Sequence, residues 1–65
     1  MVEVTQELLN KLNVKPRDKS VVALRYGLID GQKHSLQYVG EVFGLTRERI
    51  RQIEFKVINK IKNEI

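Results

Sequence analysis

The feature that most constrains this chain is the spacing of two glycines and two isoleucines in its second half. Gly44 follows Gly40 by four residues, and Ile50 and Ile53 lie ten and thirteen residues after Gly40. Two helices that cross through a short turn need a small residue at the crossing, a residue that tolerates positive φ in the turn, and inward-facing apolar residues on the second helix. The spacing therefore predicts a helix-turn-helix at about residues 35–62.

Helical periodicity extends over most of the chain and is interrupted by residues that typically begin or end helices. We expect four helices, at about residues 2–13, 16–27, 35–44 and 46–62. Thr5, Ser35 and Thr46 are expected to cap the first, third and fourth helices, and Pro16 to open the second. Gly27 and Gly44 are expected to end the second and third helices. The second helix is expected to bury Val21, Val22, Leu24 and Leu28. The predicted fold class is all-α, a small bundle of about four helices forming one domain over residues 1–65.

Composition narrows the classes of function. The net charge is +4, and the basic excess is concentrated in residues 45–65, which hold six basic and three acidic side chains. This excess suggests an anionic partner, nucleic acid before a membrane surface, although a solvated basic helix explains the charge equally well. The chain has no cysteine, no signal-peptide pattern and no apolar run near the ~20 residues that span a bilayer. We expect a cytoplasmic protein without membrane association.

The predicted last helix has an apolar face and a polar face. Ile50, Ile53, Val57 and Ile61 form an inward stripe, and the opposite arc holds Glu48, Arg51, Gln52, Phe55 and Asn59, with Arg47 and Arg49 beside the first turn. Arginine can pair with guanine, glutamine with adenine, and glutamate with the cytosine amino group in the major groove. The alternative is that Arg47, Glu48, Arg51 and Glu54 form only surface ion pairs.

Phosphate contacts are expected around this face. Ser35 and Thr46 place hydroxyls at helix N-termini, where backbone amides favour anions. The other candidates are the basic side chains Arg17, Arg25, Lys33 and Arg49. Each of these basic residues is equally well explained as ordinary surface charge.

Here the sequence resembles a known family. The matching segments are VGE at 39–41, TRERIRQIE at 46–54, PRD at 16–18, LRYGL at 24–28 and DG at 30–31, within a region of about 12–62. These strings resemble region 4 of the σ70 family of bacterial RNA polymerase sigma factors. Region 4 in that family is a compact helical domain that reads the −35 promoter element in the major groove and docks on the flap of the polymerase β subunit. Activators and anti-sigma factors also bind it.

The resemblance implies roles for individual residues. Base or adjacent backbone contacts would fall to Arg47, Glu48, Arg51 and Gln52, and phosphate contacts to Arg17, Arg25, Ser35 and Thr46. Lys56 and Lys60 would lie on the surface that activators approach. Partners would be double-stranded promoter DNA and the polymerase core, with no cofactor and no metal.

Three positions depart from the family pattern. Ala23 and Asn59 replace usual basic residues, and Phe55 replaces a usual alanine. We place Phe55 with the partner surface, while contact with a thymine methyl and packing against its own chain stay open. The family's regions 1 to 3 have no counterpart in these 65 residues. We therefore expect either a domain of a longer sigma factor or a small free-standing relative.

Other classes of function receive less support. His34 is the single histidine, in a polar loop without an evident acidic partner, so we expect no catalytic or metal site and no enzyme. Apolar residues in the first half could instead line a groove for a partner helix, although a shared core explains them better: Leu8, Leu9, Leu12, Val21, Val22, Leu28 and Ile29. A free-standing regulator would need a dimerisation helix, which is not evident, and we expect a monomer.

Overall fold

The computed structural model describes residues 4–64 as four helices: α1 (Gln6–Lys11), α2 (Pro16–Arg25), α3 (Leu36–Phe43) and α4 (Arg47–Glu64). No β-strand occurs within that range. The predicted all-α class with four helices is confirmed. Among these four helices, none is both long enough and apolar enough to cross a membrane.

The first helix is shorter than the sequence predicted. Thr5 is its N-cap, with the side-chain oxygen accepting a hydrogen bond from the Leu8 amide at 3.1 Å. The helix ends at Lys11, because Leu12 adopts an extended backbone conformation as the chain turns toward Pro16. Leu12 is nevertheless buried, so core packing rather than helical periodicity fixes its position. The predicted start at residue 2 lies outside the described residues.

The second helix begins and ends close to the predicted positions. Pro16 occupies the first turn, and Gly27 adopts a φ of +78° directly after the C-cap. Leu28 was expected on this helix but lies in the following turn, half-buried, with its amide bonded to the Ala23 carbonyl at 2.8 Å. The chain beyond Gly27 folds back tightly, since a Cβ added there would lie 3.1 Å from the Gln32 carbonyl carbon.

The turn between α3 and α4 explains the two glycines. Gly44 ends α3 in the left-handed region at φ +71°, as expected. A Cβ on Gly40 would lie 2.5 Å from the Leu45 carbonyl oxygen, and the Leu45 amide bonds to the Gly40 carbonyl at 2.8 Å. The small residue is thus required by the turn backbone that folds over α3.

The core lies where α4 packs against α2 and α3. The predicted stripe on α4 is buried. Further buried residues come from the chain's first half and from α3, including Leu9, Leu12, Val21, Val22 and Leu24 of the first half and Val39 of α3. Most apolar residues of the first half therefore form a shared core, which confirms the simpler of the two explanations. Leu8 and Leu28 are half-buried against this core, and Ile29 is exposed.

Candidate nucleic-acid interface

Four predicted base-contacting side chains are exposed on the first turns of α4. Arg47, Glu48, Arg51 and Gln52 all face solvent, while Ile50 between them is fully buried. This alternation follows from the apolar stripe, because burying Ile50 turns its neighbours outward. Arg47, Glu48 and Arg51 line a shallow depression of about 330 Å³ together with Leu36 of α3.

Arg51 and Glu48 are joined by an ion pair on this face. Arg51 Nε donates to Glu48 Oε2 at 2.9 Å, and Arg51 Nη2 donates to Glu48 Oε1 at 2.5 Å. The hydrogen bond from Arg51 lowers the pKa of the Glu48 carboxyl and raises that of the guanidinium. A guanidinium has five N–H donors, and within residues 4–64 Nη1 of Arg51 has no hydrogen-bond partner. The pair therefore leaves one edge of the guanidinium that can contact a base.

The two hydroxyls that the sequence predicts as phosphate contacts lie at helix N-termini. Ser35 Oγ accepts from the Tyr38 amide and Thr46 Oγ1 from the Arg49 amide, both at 3.1 Å. A hydroxyl that accepts one bond can still donate its own hydrogen. Each cap can thus stabilise its helix and bind a phosphate oxygen at the same time.

The predicted basic phosphate contacts do not share one environment. Lys33 and Arg49 are exposed, and Arg17 is exposed with a 3.4 Å contact to Asp18. Arg25 is half-buried, and its Nη1 donates to the His34 carbonyl at 2.8 Å. Its Nε lies 3.5 Å from Glu54 Oε2 on α4 and is buried without a hydrogen bond. Arg25 therefore joins α2, the loop and α4 within the chain.

His34 has an acidic partner that the sequence analysis missed. Its Nε2 lies 2.8 Å from Asp30 Oδ2, and its ring stacks on Tyr38 with the centroids 4.3 Å apart. The hydrogen bond with His34 holds the pKa of Asp30 below its usual value. The expectation of an unpaired histidine was wrong, because the loop curls so that residues four apart meet outside any helix.

In the described part of the chain, no group of three or more His, Cys, Asp or Glu side chains could hold a metal ion.

The expected partner-surface residues lie on two sides of α4. Lys56 and Lys60 line a depression of about 370 Å³ with Lys15, and Lys60 Nζ lies 3.5 Å from the Asn13 carbonyl oxygen. Phe55 lines a separate depression of about 230 Å³ with Tyr26 and Ile58, among others. Phe55 is 64% exposed and is not part of the buried core.

Comparison with known proteins identifies the family. The family model described as "Sigma-70, region 4" matches residues 8–63, from within α1 to the end of α4. This chain belongs to the sigma-70 region 4 family. The resemblance predicted over about residues 12–62 is thereby confirmed.

Individual relatives agree with this assignment. A "Probable RNA polymerase sigma-C factor" of Synechocystis sp. is 47% identical over 58 residues, which cover 89% of this chain and 14% of that protein. An "RNA polymerase sigma factor SigA" of Microcystis aeruginosa is 46% identical over 59 residues, with the same coverage. A SigA of Nostoc sp. is 44% identical over 61 residues, covering 94% of this chain and 15% of the relative. The chain thus spans about one seventh of the length of these relatives.

Proposed function

We propose that this chain reads the −35 promoter element in the major groove of double-stranded DNA during transcription initiation, without enzymatic activity. The observation that carries the proposal is the exposed set Arg47, Glu48, Arg51 and Gln52 on the first turns of α4. The major groove accepts one α-helix, whose N-terminal residues lie nearest the base edges. Membership of the sigma-70 region 4 family supports the choice of promoter DNA as the target.

Phosphate contacts around the groove would set the position of α4. Ser35 and Thr46 lie at the N-termini of α3 and α4, and Arg17, Lys33 and Arg49 are exposed. The contacts of Arg25 support an indirect role in phosphate binding, because its hydrogen bond to the His34 carbonyl holds the loop segment directly before Ser35. The reading unit would comprise residues 35–62 within one domain over 1–65.

A titration of labelled duplexes tests the proposal. One duplex carries the −35 element and the other a scrambled version, and both are measured at several salt concentrations. We expect tighter binding to the element, with both affinities falling as salt rises. Lys33→Ala should weaken both duplexes alike and reduce the salt slope by about 1. Equal affinity of the wild-type chain for both duplexes would contradict sequence-specific reading.

We also propose that the chain docks on the flap of the polymerase β subunit. The supporting observation is Ile29, which is 60% exposed and lines a depression of about 300 Å³ with residues of α1 and α2 and none of α4. An exposed apolar side chain of this kind suits contact with a partner helix. Capture of isolated flap by the wild-type chain tests this, and no binding at micromolar concentrations would count against it.

Lys56 and Lys60 support a further contact with regulatory proteins. Together with Lys15 they line a depression without an acidic side chain among its lining residues, which suits an acidic activator or anti-sigma factor. Lys56→Glu should weaken capture of such a partner while Lys62→Glu, on another part of α4, serves as the charge-matched control.

We propose that the free chain is a monomer and acts in the cytoplasm with RNA polymerase at the nucleoid.

A further inference from the structure

Phe55 is an apolar side chain presented to solvent on a helix that has a complete apolar stripe of its own. It is 64% exposed. Ile53 and Val57, two residues before and after it, are buried, with exposed fractions of 2% and 0%. The ring therefore contributes little to the core of this chain. A large ring held in water on a helix that carries base-reading candidates is available to an external partner.

The position of Phe55 along α4 places it with the reading residues. At about 100° per residue, Phe55 points within about 20° of Glu48 and about 40° of Arg51. It lies about 6 Å further along the helix axis than Arg51, a distance of about two base steps of B-DNA. Lys56 and Lys60 point about 100° and 140° away. Phe55 thus continues the face of Glu48 and Arg51 and leaves the lysine face.

The chemistry of a phenyl ring limits what it can recognise in the major groove. It has no hydrogen-bond donor or acceptor, and the apolar group that base pairs present there is the thymine 5-methyl. We propose that Phe55 is a specificity-determining residue that contacts a thymine methyl in the −35 element, at the end of the reading face away from Arg47. The inference rests on the proposed function, because it requires α4 to lie in the major groove.

The experiment compares variants on duplexes that differ by single methyl groups. Each thymine of the element is replaced in turn by deoxyuridine, which removes the methyl and keeps the base pairing. Wild type, Phe55→Ala and Phe55→Leu are titrated on every duplex, with Val42→Ala as a control at another exposed apolar position, 53% exposed on α3. Circular dichroism and thermal midpoints verify that all variants remain folded.

We expect one thymine to account for the effect of Phe55. Removing its methyl should weaken wild-type binding about fourfold, the value for one buried methyl-sized group. Phe55→Ala should lose a similar factor on the thymine duplex and show no further loss when that methyl is removed. Phe55→Leu should keep part of the discrimination, and Val42→Ala should behave as wild type.

Two results would overturn the inference. Equal losses by Phe55→Ala on thymine and deoxyuridine duplexes would mean that the ring does not contact a methyl. Unchanged DNA binding together with weaker binding of core polymerase would assign Phe55 to a protein interface. Failure of the proposed function is visible separately, because it appears as equal wild-type affinity for the element and its scrambled version.

Discussion

Arg25 connects three parts of the molecule through one guanidinium. Its Nη1 bonds to the His34 carbonyl, and its Nε lies beside Glu54 of α4. A basic residue in this sequence can be proposed as a phosphate contact from its charge, but its burial depends on where the loop and α4 meet. Residues whose contacts lie far along the chain are the ones that a single sequence describes least well.

Tyr26, which follows Arg25, should make the stability of the fold depend on pH in the alkaline range. Burial, followed by the interaction with the Glu54 carboxylate, raises its pKa from 10.0 to about 12. Because the folded pKa is the higher one, the unfolded chain releases the proton first, and stability is lost as the pH rises from about 10 through about 12. Thermal unfolding between pH 9 and 11.5 should show a steeper loss for wild type than for Tyr26→Phe.

Tyr38→Phe is the control, because it removes a phenol hydroxyl elsewhere in the chain. If the thermal midpoints of wild type and Tyr26→Phe fall in parallel as the pH rises, the phenol of Tyr26 is not responsible for the loss of stability at alkaline pH. Glu54→Gln should move the Tyr26 titration toward lower pH, as followed by ultraviolet absorbance, because it removes a carboxylate that disfavours the phenolate.

At the scale of single helices, the N-caps were predictable because capping is a local property. Ser35 and Thr46 each accept a bond from an amide three residues later, and both were identified by residue type and position. The end of α1 was not predictable in the same way. Leu12 continues the helical spacing of Leu8 and Leu9, yet leaves the helix so that the chain can turn and Leu12 can enter the core.

Thr46 offers a way to separate the capping role from the phosphate role. Thr46→Ala should destabilise the fold by about 1 kcal/mol through loss of the cap. Thr46→Asp retains a capping oxygen and should keep the thermal midpoint near that of wild type, yet weaken both duplexes because a carboxylate repels phosphate. A Thr46→Asp variant that binds DNA as tightly as wild type would exclude Thr46 from the phosphate contacts.

The turn between α3 and α4 is expected to be the most sensitive point of the fold. Alanine in a helix is normally favoured over glycine by about 1 kcal/mol, but at Gly40 the added Cβ would lie 2.5 Å from the Leu45 carbonyl oxygen. Gly40→Ala should therefore destabilise the chain and displace α4. Gly31→Ala is the control, since its positive φ costs about 1–2 kcal/mol but no atom lies within 4 Å of the added Cβ.

Chemical denaturation measures both variants on the same scale. We expect the Gly40→Ala loss to exceed that of Gly31→Ala, and to be accompanied by loss of DNA binding. A Gly40→Ala variant that is more stable than wild type would show that the turn adapts at little cost, and that the spacing of Gly40 and Gly44 constrains the fold less than the structure implies.

For the whole molecule, the long periodic α4 allowed most of the architecture to be derived from sequence. Its buried stripe and exposed arc follow from residue spacing alone, and they define both the core and the candidate reading face. The pairing of His34 with Asp30 and the two depressions lined by Lys56 and by Phe55 could not be derived from the sequence. The first depends on the loop path, and the second on how α2 and the α1–α2 connection pack beside α4.

The excess positive charge of residues 45–65 acts on any nucleic acid, so affinity alone cannot show that bases are read. Reading by α4 predicts instead that each contacting side chain has its own base pair. Arg51 is the best residue for this test, because it is exposed on the first turns of α4 and its contacts with Glu48 leave Nη1 for a base.

The most direct measurement is the affinity of wild type, Arg51→Ala and Lys33→Ala for every single base-pair variant of the −35 duplex. One base-pair change should weaken wild-type binding by roughly 5- to 150-fold, and Arg51→Ala should lose a similar factor on the unchanged duplex and be insensitive to that one change. Lys33→Ala should weaken all duplexes equally. If Arg51→Ala instead weakens all duplexes by the same factor, α4 does not read the element through Arg51, and the central proposal is contradicted.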